Sequence, residues 1–528
     1  MRFYEIRKAT FAAAALLALP ACGTTATPPA AAPPPAPALQ TAAATERVIT
    51  VREPESPFVA FNIWVRAGSA HDPAGKEGLA ALTASMVAGG STQQDRYQQV
   101  LEKLYPMAAS YGGSVDKEMT VFTGRVHRDN LDAYYELFRN ALLTPAFAQD
   151  DFDRIKARVL NSLERTRRYS RDEELGKELL YWMAYQGTPY AHPEAGYVES
   201  VRSITLDDVK QFYQQNYLRD GVVVGIGGGY PEGYAERVRT DFDRLPAGAP
   251  RPIAAPQPKL PDGVKVLIVE KETDASAISF GFPTRLLRSQ PDFVPMMVFN
   301  SWFGEHRNSF SHLYQVIRET RGMNYGDYSY IEAFPAGFAT QQPRVNVARQ
   351  SHLFEIWIRP ISLTAPGNLH ERTLFATRAA WRELDKIVDH GMKAEDVATA
   401  KQFLHNYSVP WGGTISRRLA YAVDDAFYGI PEPGFLKSLR PKLAQVTPAS
   451  VNAAIDRHLQ SEHMYLVLIT ADAEAMKQKL VSGVPTNITY AGERPADVLA
   501  EDREIAAFPI PVKAENITII PIDQVFQK

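Results

Sequence analysis

The chain has 528 residues, 45% hydrophobic and 22% charged, enough apolar content for several domains with sizeable cores. Its 57 basic and 60 acidic residues give a net charge of −3 without a long basic run, which excludes an electrostatic nucleic-acid binder. A single cysteine, Cys22, excludes an intrachain disulfide and a thiolate metal site.

Arg2, Arg7 and Lys8 precede the apolar run Phe11 to Leu19, too short to span a bilayer and patterned as a secretory signal over residues 1–21. Leu19-Pro20-Ala21-Cys22 resembles a bacterial lipobox, which implies cleavage before Cys22 and lipid on its sulfur. Gly23, where an aspartate is absent, resembles lipoproteins sent to the outer membrane. The expected location is therefore the periplasmic side of a bacterial cell envelope, reached through the lipid anchor only. Residues 22–46 are nearly all Pro, Ala and Thr and predict an extended tether. At about 3.1 Å per residue it reaches roughly 60 Å.

Residues 47–245 read as one structural half. Arg47 to Arg52 and Phe58 to Arg66 alternate as strands, and helices are predicted near 77–88 and 95–110. A hairpin-like pair follows at Ser114-Val115-Asp116 and Thr120 to His127. Helical periodicity runs from Leu131 to Leu143 and through a long segment from Asp150 to Met183. A helix at Leu206 to Tyr217 then leads into the apolar strand Val222 to Ile226.

A Pro/Ala-rich linker, 246–262, separates this half from a second, 263–483, that repeats its order. Ala275 to Phe282 predicts a strand, Pro295 to Phe303 and Ser311 to Glu319 helices, and Asp327 to Glu332 and Arg344 to Arg359 strands. Leu374, Trp381, Leu384 and Val388 mark a buried helix face that stops at Gly391. Asp396-Val397-Ala398 falls 245 positions after Asp151-Phe152-Asp153, and Val446-Thr447-Pro448 falls 242 after Ile204-Thr205-Leu206. Two anchors at nearly one offset indicate a duplication. The expected fold is α+β: two duplicated sandwich-like halves with antiparallel sheets and packed helices, joined by the linker. The extension 484–528, rich in Pro and charge, carries little pattern.

Val65-Arg66-Ala67-Gly68-Ser69, followed by Gly75-Lys76-Glu77-Gly78-Leu79-Ala80, resembles the opening of zinc peptidases of the pitrilysin/insulinase (inverzincin) family. There the next residues are His-x-x-Glu-His, two zinc ligands and a general base on one helix face. Here those positions hold Ala81, Ala84 and Ser85, none of which ligates zinc or moves a proton. The family's third ligand, a glutamate on the long helix, maps onto Asn161-Ser162. Glu164 nearby faces another way at about 100° per residue, and on its own reads as a solvated helix residue. The resemblance thus implies a member without its metal site: no metal in this chain, and zinc expected in a partner.

No other constellation replaces it. His306 and His312 are six apart, which does not stack them on one helix face, and His370-Glu371 lacks a second histidine. Gly225-Ile226-Gly227-Gly228-Gly229 lacks the dinucleotide-fingerprint spacing and reads as a tight strand-to-helix turn.

Leu313 to Tyr325, with Arg318-Glu319-Thr320-Arg321-Gly322, resembles the family's second-half signature. In active members an arginine and a tyrosine seven residues apart bind the substrate carbonyl and the developing oxyanion, and Arg318 and Tyr325 have that spacing. Read alone, Arg318 and Arg321 are cations in a last helical turn and Tyr325 is a strand residue. With the resemblance, the pair implies a contributory role. The chain would be the non-zinc-binding subunit of a heterodimer, assisting an HxxEH-bearing zinc peptidase subunit in hydrolysing unfolded peptides. Such peptides would bind by strand addition near Gly113-Ser114-Val115-Asp116. A non-enzymatic envelope lipoprotein that binds peptides or acts as a scaffold is the alternative, and a peptidase with a relocated metal is the third reading.

Overall fold

The computed structural model describes residues 47–306, 308–332, 343–360 and 369–528, apart from the side chains of Tyr325 and Pro360. The signal segment, Cys22 and the tether lie outside the described residues. No described helix is long and apolar enough to cross a membrane.

Two sheets organise the described residues. The first contains β1 (Val48–Arg52), β2 (Phe58–Val65), β3 (Ser110–Val115), β4 (Thr120–His127) and β5 (Val222–Gly228) in the order β1-β5-β2-β4-β3. The second contains β6 (Val264–Glu270), β7 (Ala277–Thr284), β8 (Asn324–Tyr330), β9 (His352–Pro360), β10 (Met464–Thr470) and β11 (Ile517–Pro521) in the order β11-β6-β10-β7-β9-β8. Without β11 the two orders are the same, strand for strand. Both sheets are mainly antiparallel, but one edge of each is parallel: β1 with β5, and β6 with both β10 and β11. Those partners are separated by most of a half, so a crossover rather than a hairpin joins them.

Each sheet packs its inner face on helices of its own half. In the first, Phe61 of β2 stacks on Tyr135 at 5.5 Å and meets Phe138 at 5.4 Å, both from the Leu131–Leu143 helix. In the second, Phe280 of β7 stacks on Trp381 of the Leu369–His390 helix at 5.3 Å. The duplication anchors match in structure. Thr205 and Thr447 each cap the helix that follows, accepting hydrogen bonds from Asp208 N at 3.2 Å and Ser450 N at 3.1 Å.

The outer faces are covered by exchange. The Asp172–Ala184 helix of the first half lays Leu175, Leu179 and Leu180 on Leu267, Ala277, Val467 and Ile469 of the second sheet. The Ile415–Tyr428 helix of the second half lays Ile415, Leu419, Val423 and Phe427 on Ala60, Trp64, Val121 and Val223 of the first. Spacing of four residues puts those four side chains on one helix face. Burying each stabilises by about 1.5–3 kcal/mol. Leu175 and Leu179 precede Leu419 and Val423 by 244 positions, the same repeat again. Glycines permit the close approach: a Cβ on Gly227 would lie 3.1 Å from Ile415, and one on Gly176 would lie 2.9 Å from Ser279 Oγ. Gly225 and Gly227 are therefore strand residues under a helix; the turn begins after them, at Gly228, where φ is +110°.

Three expectations differ from what is observed. The segment from Asp150 to Met183 is not one helix: it runs as Gln149–Asn161, a π-helical stretch Ser162–Thr166 and a turn Arg167–Tyr169. It breaks at Ser170-Arg171 before Asp172–Ala184, so that its last part can leave for the other sheet. The 344–351 segment forms no strand, because its polar groups are satisfied across the halves. Ala348 N donates to Asp116 at 3.1 Å, Gln350 N to Glu118 at 3.0 Å, and Asn346, at φ +62°, accepts from Asn62 and Trp64. The extension after Gly483 is structured: its Ala496–Ala507 helix packs on Leu369–His390 and its last strand is β11.

Candidate functional site

The Leu79–Gly89 helix, where the family's metal motif would lie, starts at Gly78 in the left-handed region, and Asp72 accepts from Gly78 N and Ala80 N at 2.7 Å each. Ala84 is 2% exposed and belongs to the first hydrophobic core, while Ala81 and Ser85 are half-buried. Glu164 is ion-paired with Arg202. A methyl, a methyl and a hydroxyl, with Glu164 engaged elsewhere, do not fit zinc, which takes nitrogen, thiolate or carboxylate donors. Among the described residues no three His, Cys, Asp or Glu side chains are grouped to hold a metal.

His306, His312 and His370 have structural partners. His306 Nδ1 lies 2.9 Å from the Tyr330 hydroxyl. His312 Nε2 lies 2.7 Å from Glu383 and its ring stacks on Trp302. His370 Nε2 donates to Ala471 O at 2.7 Å.

The second-half signature also forms a π-helical stretch, Tyr314–Glu319, a form that occurs frequently at functional sites. Arg318 is half-buried there, its guanidinium 4.6 Å from the centre of the Tyr314 ring. Its charge favours ionisation of buried Asp327, whose carboxyl is nevertheless pushed well up by burial. Tyr325 stands in β8 next to an irregularity in the pairing with β9 between Asn324 and Asp327; its side chain lies outside the described residues. Arg321 has a different task. It is buried and bonds to Asp502 at 2.8 Å, Glu501 at 2.7 Å and Val316 O at 2.7 Å, which fastens the C-terminal helix.

Between the halves lies a cavity of about 490 Å³. The first half contributes Val115, Asp116, Ser162 and Thr166, and the second contributes Glu332, Arg344, His352 and Glu355. Ser162 and the Val115-Asp116 edge are the sequence-flagged residues that reach it. Ala81, Ala84, Ser85 and Arg318 are not among its described lining residues. Lys117 and Glu194 pair across the wall at 2.7 Å, and Arg167 pairs with Glu178. Burial opposes ionisation of Glu332, but Arg288 at 2.6 Å and Arg349 at 2.7 Å overcome it and hold its carboxyl at about 2. Glu355 lacks such support: burial pushes it up to about 8 despite the Lys177 ammonium, and its Oε2 is buried without a hydrogen-bond partner. Burial, helped by Arg349 and Arg288, lowers His352 to about 4. Behind the wall, burial raises Glu118 to about 6 although it accepts from Tyr190 at 2.5 Å, Tyr428 at 2.7 Å and Gln350 N. At neutral pH the cavity presents the uncharged Glu355 carboxyl beside fixed ion pairs. No local motif flags Glu118, Glu332 or Glu355, because distant segments assemble their surroundings.

The fold is thus a duplicated pair of mixed sheets, each covered by a helix of the other half, around an internal cavity. The chain belongs to the insulinase family, peptidase family M16: the model for that family matches residues 47–196, and the model described as the peptidase M16 inactive domain matches 203–404. It is similar to a Helicobacter pylori protein named non-peptidase homolog YmxG, 22% identical over 424 residues, covering 78% of this chain and 89% of that protein. It is also similar to a Streptomyces coelicolor protein named as an uncharacterized zinc protease, 21% identical, covering 77% and 84%. Its fold matches the crystal structure of a peptidase M16 inactive domain from Pseudomonas fluorescens, with a TM-score of 0.69, 22% identity and coverage of 80% and 95%. The chain is thus a peptidase-like member of that family.

Proposed function

We propose that this chain is the non-zinc-binding subunit of a heterodimeric metallopeptidase, anchored at the periplasmic face of a bacterial envelope through lipid on Cys22. One observation carries the reading: Arg318 sits on a π-helical signature turn, while positions 81, 84 and 85 hold no ligand. An HxxEH-bearing partner holds zinc, its water and the base; this chain supplies half of the wall of a chamber closed between the two subunits. Arg318 and Tyr325 donate to the substrate carbonyl and to the negative charge that develops on it. Such donors, aimed at forming charge in a water-poor chamber, are each worth about 100- to 1,000-fold in rate. The substrates are unfolded peptides short enough to enter.

The test is to co-purify the chain with its companion and compare peptide turnover of the pair carrying wild type, Arg318→Ala or Tyr325→Phe. A loss of about 100-fold or more in kcat/KM supports the role; unchanged turnover removes both residues from it. The alternative, an envelope lipoprotein that binds peptides without hydrolysis, draws support from the cavity of about 490 Å³. Tight peptide binding by the isolated chain, with no metallopeptidase companion recovered, would favour it.

A further inference from the structure

The C-terminal end touches both halves. β11 adds to the second sheet beside β6, with Ile517 opposite Val266 and Ile520 opposite Val269. The chain then turns, and Val525 and Phe526 enter the apolar cluster formed by Leu175, Leu179 and Leu180 of the first half with Val269 and Leu353 of the second. Val525 is 1% exposed and Phe526 4%. Backbone bonds complete the attachment: Val198 N donates to Phe526 O at 2.9 Å and Glu199 N to Gln527 O at 3.1 Å, both from the first-half helix Val198–Ser203. Arg168 donates through Nε to Val525 O at 2.9 Å and through Nη2 to the Gln527 side chain at 3.2 Å.

Arg168 is the link to the cavity. It lies two residues past the π-helical stretch Ser162–Thr166, and the intervening Arg167, with Thr166, lines the cavity. We propose that residues 517–528 are an intramolecular clasp which ties the second sheet to the first half and, by gripping Arg168, fixes the wall of the inter-half cavity. Three independent features agree on this. A strand pairs on one side, two backbone bonds form on the other, and a buried guanidinium joins the tail to the wall-bearing turn. The repeat gives a contrast, because the matching edge strand of the first sheet, β1, has no eleventh-strand equivalent beyond it among the described residues. The clasp is an addition to the duplicated plan. It stands whether or not the chain serves a zinc-bearing partner.

Hydrogen exchange of the full chain tests it, comparing wild type with Phe526→Ala, Arg168→Gln and a chain ending at Asn516. The expected result is exchange at least about tenfold faster at amides 162–171 in all three variants, and at Val198 and Glu199 in Phe526→Ala and the truncation. The Leu131–Leu143 helix should keep its wild-type protection. Unchanged exchange at 162–171 overturns the proposal, and so does an equal rise throughout the chain. Should the truncated chain fail to fold, Arg168→Gln decides alone, since it removes the grip and leaves β11 in place.

Discussion

Gly225 lies so close to Val423 that a Cβ added to the glycine would sit 2.6 Å from the valine Cγ2 and 2.7 Å from the Asn62 carbonyl oxygen. The contact joins the first sheet to a helix of the second half, so it reports directly on the exchanged packing. Gly225→Ala should destabilise by about 1–3 kcal/mol, because the helix must lift or the strand must bend. Urea denaturation measures it; a cost below about 0.5 kcal/mol would show that the helix is loosely seated.

Ala84→Glu tests how tightly the Leu79–Gly89 helix is packed at that position. With 2% of Ala84 exposed, a carboxylate there enters the first core without a partner. A loss of about 2 kcal/mol or more is expected at pH 7. Ala81→His and Ser85→His, at half-buried positions, should each cost less. Equal stability of all three variants would mean the helix face is open to solvent.

Arg349 joins three segments, bonding to Glu332 at 2.7 Å and to Asp424 at 2.7 Å. Arg349→Met strands part of the charge on two buried carboxylates, and a cost of about 3–5 kcal/mol is expected near neutral pH. The cost should shrink below about pH 4, where those carboxylates take up protons more readily. Denaturation at pH 7 and at about pH 3 provides the comparison, since Glu332 in the wild-type chain gives up its contribution as pH falls from 4.5 towards about 2.

Glu355 carries the opposite pH signature. Its carboxyl titrates at about 8 in the folded chain against 4.5 when solvated, because it is buried and the Lys177 ammonium only partly compensates. As pH rises from 4.5 to 8 the unfolded chain loses this proton and the folded chain keeps it, so the group's contribution to stability falls over that window. Glu355→Gln removes the dependence. The variant should be more stable than wild type by about 1 kcal/mol or more at pH 8 and indistinguishable at pH 4. An equal difference at both pH values would assign the effect to packing.

Much of the architecture was legible because duplication leaves paired signals. Thr205 and Thr447 cap equivalent helices, and the Asp151 and Asp396 segments begin equivalent ones. The helix exchange was not legible. Periodicity reports that Leu175 and Leu179 face something apolar, not that the apolar surface belongs to another sheet. The break at Ser170-Arg171 carries no proline or glycine to announce it. The tail was missed for a related reason, since β11 is only partly buried and its short run gives no strong alternation. Of the candidate site, the helix bearing Ala81, Ala84 and Ser85 was readable from its apolar pattern. The carboxylates in and behind the inter-half wall were not, because Glu118, Glu332 and Glu355 owe their titration to neighbours remote in sequence.

The exchanged helices set an order of events in biosynthesis. The sheet face bearing Ala60, Trp64, Val121 and Val223 is complete once β5 has been made, yet its cover, Ile415–Tyr428, leaves the ribosome some two hundred residues later. Throughout that interval the nascent chain exposes a ready-made adhesive surface. The two halves are consequently not separable products: a fragment ending at the linker would keep that surface bare and would need a chaperone, or the missing half supplied in trans, to remain in solution.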